Sequence, residues 1–300
     1  MTPPINRPPP LTEEERIQRY GYRDVRRTLP SGEVVVDRIA LTLEDLLHPQ
    51  EGDVAVASSL HHHEKHYLAS VFRSQLADDT KALVLSNCGI CWDIPTLQHH
   101  SPDVTVVLNV RAQRANWPIF RVAEEGTRPS LIVEIVSPSY RENDVETKVL
   151  QYHLAGVPWY IIVDREKEDD TPRLIVRRHQ SDGWEVVPLN EKGHIWLPMV
   201  RVWLGIQDGK IACFDADTGD RFGDYAEECR KLDKQKARIK YLESQLEAIN
   251  RAKRYEAQIR ETEARANAEA ARANVAEETN RSLLERLAKI EAELQNDRGV

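Results

Sequence analysis

Residues 128–148 read RPSLIVEIVSPSYRENDVETK. Leu131, Ile132, Val133, Ile135 and Val136 form the kind of apolar run that becomes a fully buried strand, yet Glu134 stands in its middle. An ionised carboxylate placed there costs several kcal/mol unless a cation pairs with it or it binds a metal. A strand that accepts this cost carries chemistry as well as packing. Downstream, NDVETKVLQYHLAG (143–156) predicts a helix, with Asn143 and Glu146 at capping-box spacing and Gly156 suited to its C-terminal end. PWYIIVD (158–164) then predicts a second buried strand. Strand, helix, strand implies a right-handed crossover and a parallel pair.

Two more strands are expected upstream, KALVLSN (81–87) and DVTVVLNV (103–110). The helix that should pack on this sheet is HHHEKHYLASVFRSQLAD (61–78), in which Tyr67, Val71 and Gln75 share one line and Leu68, Phe72 and Leu76 lie beside it. EVVVDRIA (33–40) reads as a short strand, and LTLEDLLHP (41–49) as a short helix stopped by Pro49. Beyond Asp164 the pattern turns to hairpins, around Asp182-Gly183 and Asp208-Gly209, an antiparallel extension of the same domain. The expected fold class is therefore α/β with a mixed sheet.

The organisation expected along the 300 residues is a proline-rich flexible lead-in over 1–32, a globular body over 33–223 and a long helix over 224–300. In that helix Leu232, Ile239 and Leu246 fall seven apart with Leu242 and Ile249 interleaved, and Leu283, Leu287, Ile290 and Leu294 alternate steps of four and three. Such spacing predicts a coiled coil and self-association, with a single solvated helix as the alternative.

The formal net charge is -8, and from Asp224 onward sixteen basic residues balance sixteen acidic ones, so the excess lies in residues 1–223. That distribution argues against coating nucleic acid by bulk charge and leaves room for a local basic cleft. No segment has the apolar length of a membrane span and the start lacks a secretion signal, so a cytoplasmic protein is expected. Four cysteines are too few for a disulfide framework; Cys88 and Cys91 have the spacing of a redox pair or half a zinc site, but their context reads better as an ordinary strand.

Asp103 follows Pro102 at the mouth of the DVTVVLNV strand, where an acid caps a turn or binds. Were that strand antiparallel to the one bearing Glu134, the two carboxylates would converge, and Mg²⁺ is the usual cation between such acids where phosphate is the substrate. Lys148, in the first turns of the following helix, could lean over the strand end toward a developing phosphate charge; alone, it would also suit an exposed helix surface.

The segments SPDVTVVL, LIVEIVSPSYRENDVETKVLQY and AGVPWYIIVD, in that order and spacing, resemble the Uma-type restriction endonucleases, a branch of the PD-(D/E)XK nuclease superfamily, over about residues 40–205. The resemblance implies a restriction-endonuclease-like αβββαβ core with Asp103 and Glu134 as metal-binding acids for Mg²⁺ or Mn²⁺. The superfamily's lysine normally lies two residues after the second acid, where this chain has Val136; Lys148 matches the lysine of the SPS…K…Y…GVP pattern instead. Gln151 on the same helix face is an expected helper, and Glu64 a candidate for the acid of the first core helix. The expected function is a Mg-dependent endonuclease hydrolysing DNA phosphodiester bonds. The alternative is a catalytically degenerate nuclease fold that assembles partners through its coiled coil.

Overall fold

The computed structural model describes residues 11–167 and 170–296, and the chain divides at Tyr225 into two compact units. The first unit opens with α1 (Glu13–Tyr20), β1 (Gly21–Thr28), β2 (Val34–Ala40), α2 (Leu43–Leu47), β3 (Asp53–Ala55) and α3 (Ser59–Gln75). It continues with β4 (Leu83–Leu85), β5 (Gly89–Cys91), β6 (Val104–Val107), β7 (Ile119–Arg121), α4 (Val122–Glu125) and β8 (Pro129–Ile135). After these come α5 (Lys148–Leu154), β9 (Trp159–Asp164), β10 (Arg173–Gln180), β11 (Gly183–Val186), β12 (Ile195–Leu197), β13 (Val202–Gln207) and β14 (Lys210–Asp215).

A six-stranded sheet in the order β11-β10-β9-β8-β6-β4 forms the centre. β8 and β9 run parallel, joined by the α5 crossover, and every other neighbouring pair is antiparallel. Because successive side chains of a strand point to opposite faces, β8 divides its residues cleanly. Leu131, Val133 and Ile135 join Leu68, Val71 and Phe72 of α3 and Val202 and Leu204 of β13 in one core layer. Ile132 and Val136 join Val149 and Tyr152 of α5 and Ile90 and Phe120 of the small β5–β7 sheet in the other. Glu134 shares that second face, under α5.

The flexible lead-in expected over 1–32 does not hold for residues 11–32. Residues 1–10 lie outside the described part, but Thr12 and Glu15 close a capping box that starts α1, and β1 pairs along its whole length with β2, so this segment is built into the three-stranded sheet β2-β1-β3. The capping box expected at Asn143 and Glu146 does not form. The chain already winds helically from Pro138 and widens into a π turn over Asn143–Thr147, so Asn143 is not at a helix start; its amide instead donates to the Leu43 carbonyl at 2.8 Å. Gly156 does follow the helix end, with φ 67°. The second expected hairpin, β13–β14, joins β12 in a sheet of its own.

In the second unit α6 (Tyr225–Asn296) is one uninterrupted helix, and Leu232, Ile239, Leu242, Leu246, Ile249, Leu283, Leu287 and Ile290 are exposed on it. No helix among the described residues is long and apolar enough to cross a membrane.

Candidate active site

β6 and β8 lie side by side, with Val104 opposite Val133, so the start of one strand meets the end of the other. That register brings Asp103 to Glu134. The Asp103 backbone N–H donates to Glu134 Oε2 at 3.3 Å, and the Ile135 N–H donates to Asp103 Oδ2 at 2.9 Å. Each strand thus holds the other's acid through a backbone amide, which fixes both side chains without calling on a surface residue.

The crossover helix supplies the cation. Lys148 Nζ stands 3.0 Å from Glu134 Oε1 and 2.7 Å from Oδ1 of Asp144, one turn earlier. The Tyr152 hydroxyl donates to Glu134 Oε1 at 2.7 Å from the next turn. Asp144 is positioned by the π turn, and the Tyr160 hydroxyl of β9 donates to the Asp144 carbonyl at 2.7 Å. From α3, His61 Nε2 lies 2.9 Å from Asp103 Oδ1, and Lys65 Nζ lies 3.9 Å from the same oxygen. Asp103, Glu134, Asp144, Lys148, His61 and Lys65 all line one cleft of about 1080 Å³.

The electrostatics follow from three acids sharing a buried space. Burial pushes the Glu134 carboxyl up to about 7; Lys148 pulls it down, and the charges of Asp103 and Asp144 push it further up. Asp144 is also raised, chiefly by burial. For Asp103 burial is outweighed by the His61 hydrogen bond and charge and the Ile135 N–H, and its carboxyl lies below the ordinary value. Burial disfavours the Lys148 ammonium, but Asp144 and Glu134 outweigh it and hold the proton.

Two expected residues take other places. The Glu64 carboxylate forms a two-pronged pair with Arg165, at 2.6 and 2.7 Å, and is absent from the cleft lining, so its charge serves packing between α3 and the end of β9. Gln151 faces His100: Trp92 Nε1–H donates to His100 Nδ1 at 2.8 Å, so Nε2 carries the proton and donates to Gln151 Oε1 at 2.6 Å. Burial pushes the His100 imidazole down to about 3, which keeps it neutral in this apolar shell. The histidine run 61–63 reads from the sequence as a polar helix start, yet His61 reaches Asp103; Lys65 and Asp144 were not singled out, although Asp144 could have been found four residues before Lys148. Among the described residues no three acid, histidine or cysteine side chains are already gathered at metal-ligand spacing.

The profile of the Uma2 family, described as "Putative restriction endonuclease", matches residues 47–206. The chain belongs to this family. The Uma2 match runs from the last residue of α2 into β13, so it encloses the whole acid and lysine cluster and leaves out α1, β1, β2, β14 and α6. Among solved structures, the chain is similar to the crystal structure of a putative nuclease belonging to DUF820 from Anabaena variabilis ATCC 29413, with 16% identity, a TM-score of 0.38, and coverage of 64% of this chain and 92% of that one. No curated protein matches.

Proposed function

We propose that this Uma2-family chain is a metal-dependent endonuclease that hydrolyses DNA phosphodiester bonds. The observation that carries the reading is the meeting of Asp103, Glu134 and Lys148 in one cleft, each held by hydrogen bonds or ion pairs. The succession α3, β4, β6, β8, α5, β9 supports reading the core as the αβββαβ unit of the restriction-endonuclease-like fold.

The donor set fits a hard divalent cation. Buried carboxylate oxygens crowd together, and burial, with the charges of Asp103 and Asp144 added, raises the Glu134 carboxyl to about 7 despite Lys148. Mg²⁺ commonly rests on one or two carboxylates and keeps several waters, so Asp103 and Glu134 suffice to hold it, or Mn²⁺. A bound ion would supply Lewis acidity toward the phosphate and an acidified water. The chain's own groups do the rest. The reciprocal amide bonds orient both carboxylates, Tyr152 and Lys148 fix the rotamer of Glu134, and Lys148 presents a permanent positive charge beside the acids, where charge develops on a phosphate. Gln151 acts at a distance, steadying α5 through His100.

The exposed Leu and Ile positions of α6 support a homo-oligomer built through a coiled coil, and four free cysteines suit a cytoplasmic setting. The excess negative charge of residues 1–223 favours a second reading, a degenerate nuclease fold that serves assembly. One assay separates them: nicking of plasmid, single-stranded DNA and RNA with Mg²⁺, Mn²⁺ or EDTA. Metal-dependent cleavage of DNA that Glu134→Gln and Asp103→Asn each reduce by at least about a hundredfold is expected. Wild-type protein inert with every substrate and metal would leave the assembly reading.

A further inference from the structure

Three cationic side chains are buried among the described residues: Lys65, Lys148 and Arg165. Two have close counter-charges, Lys148 in Asp144 and Glu134 and Arg165 in both oxygens of Glu64. Lys65 differs. It is only 3% exposed, yet its one hydrogen bond among the described residues goes to a neutral group, Asn87 Oδ1, at 3.1 Å. The nearest carboxylate oxygen, Asp103 Oδ1, is 3.9 Å away and already engaged by His61 at 2.9 Å. An ammonium has three donors, and a buried charge without full compensation is costly.

The position of this ammonium is set from two sides. The α3 helix carries its stem. Asn87, two residues past the end of β4, takes a left-handed backbone (φ 50°) that asparagine tolerates, and its N–H donates to the Pro102 carbonyl at 3.1 Å, beside Asp103. The Asn87 side chain thus braces Lys65 against the turn that presents the first acid. Lys65, Asn87 and His62, one helical turn before Lys65, all line the cleft that holds Asp103 and Glu134.

We propose that Lys65, braced by Asn87, is a phosphate-binding residue of this cleft, donating to a non-bridging oxygen of the nucleic-acid backbone and distinct in role from Lys148. A phosphodiester would provide the counter-charge that the protein leaves incomplete. Lys148, already clamped by two carboxylates, has less donor capacity to offer an incoming anion. The proposal rests on the nuclease reading.

The test is binding, not cleavage. Labelled duplex and single-stranded oligonucleotides are titrated with the full-length chain in EDTA by fluorescence anisotropy over a series of low salt concentrations, with melting temperatures as a check on folding. Lys65→Met keeps the apolar stem and removes the donors; Asn87→Asp keeps the bracing shape and gives Lys65 a close carboxylate. Each is expected to weaken binding by about tenfold and to reduce the slope of log K against log salt by about one, while Lys65→Arg retains the slope. Unchanged affinity and slope in folded Lys65→Met or folded Asn87→Asp would overturn the assignment of Lys65 and leave the nuclease reading standing. A wild-type chain that binds neither oligonucleotide would overturn both. A role confined to steadying Asp103 predicts unchanged metal-free affinity, and that outcome also counts against the proposal.

Discussion

Glu134 was legible because it is the wrong residue for its surroundings, and Asp103 because an acid after proline at a strand mouth rarely packs. Lys148 was legible through the family pattern and not through its own setting, which alone suits a surface helix. Val136, two residues after Glu134, shares its face of β8, so a lysine placed there starts from the same side of the sheet as the acid. We expect Lys148→Ala to lower the cleavage rate by about a hundredfold or more in single-turnover assays, and Val136→Lys in that background to recover part of it. Glu64 was misread because its partner, Arg165, lies 101 residues away, and no local pattern announces such a pairing. Asp164 is the clearest case of charge used for stability: its carboxylate, at 0% side-chain exposure, takes two bonds from Arg141 at 2.6 and 2.7 Å and further contacts from Arg173. Burial alone would raise its pKa, but those hydrogen bonds outweigh it and hold the carboxyl below its ordinary 3.8. The stabilisation is therefore complete above about pH 4 and lost as the pH falls through the depressed folded value. Asp164→Asn should cost about 2–3 kcal/mol at pH 7 and flatten the acid limb of a urea-denaturation profile; an unaltered acid limb would show that Asp164 does not control it.

At the scale of elements, four strands of the central sheet could be read from their apolar runs and α3 from its helical spacing, because each is packed on the core. The strands β3, β7 and β12, three residues each, were missed because they are too short to stand out from their surroundings, whereas the equally short β4 lies within the longer apolar run 82–85. The first helix was missed because a proline-rich start drew attention from the Thr12–Glu15 capping box. The approach to α5 was misread because a capping signature assumes a helix start, and this chain is already helical when it reaches Asn143. The π turn that results frees the Asp144 carbonyl for the Tyr160 hydroxyl. Tyr160→Phe leaves that buried acceptor bare, so we expect a loss of about 1–2 kcal/mol in chemical denaturation, together with a fall in cleavage rate as Asp144 and Lys148 lose their support. A full-rate mutant with reduced stability would show that the turn's position does not matter to the acids.

At the scale of the whole molecule, charge and length sort the chain into parts with different work. The negative excess sits in residues 1–223, and the nearly neutral α6, at 72 residues, extends roughly 110 Å if straight. Its Leu and Ile residues at heptad spacing are about half exposed in the single chain, from 50% at Leu232 to 59% at Leu246, which leaves a stripe for another helix to cover. Ending the chain after Phe222 removes the stripe and none of the cleft residues. Light scattering should find a lower subunit number for the shortened protein, with metal-dependent nicking retained. Equal subunit numbers would make the single solvated helix the better description of α6.

The reciprocal amide bonds between Asp103 and Glu134 also set terms for how such a sequence can change over generations. A strand's side chains alternate, so one residue inserted between Leu131 and Glu134 would turn the carboxylate away from Lys148 and Tyr152 into the α3 layer, and slide Ile135 off Asp103. Length can drift more freely only where the chain is exposed and outside the sheets, as over residues 111–116 between β6 and β7. Descendants of this chain could thus acquire new loops, and with them new target preferences, while the spacing within β8 stays frozen by geometry alone.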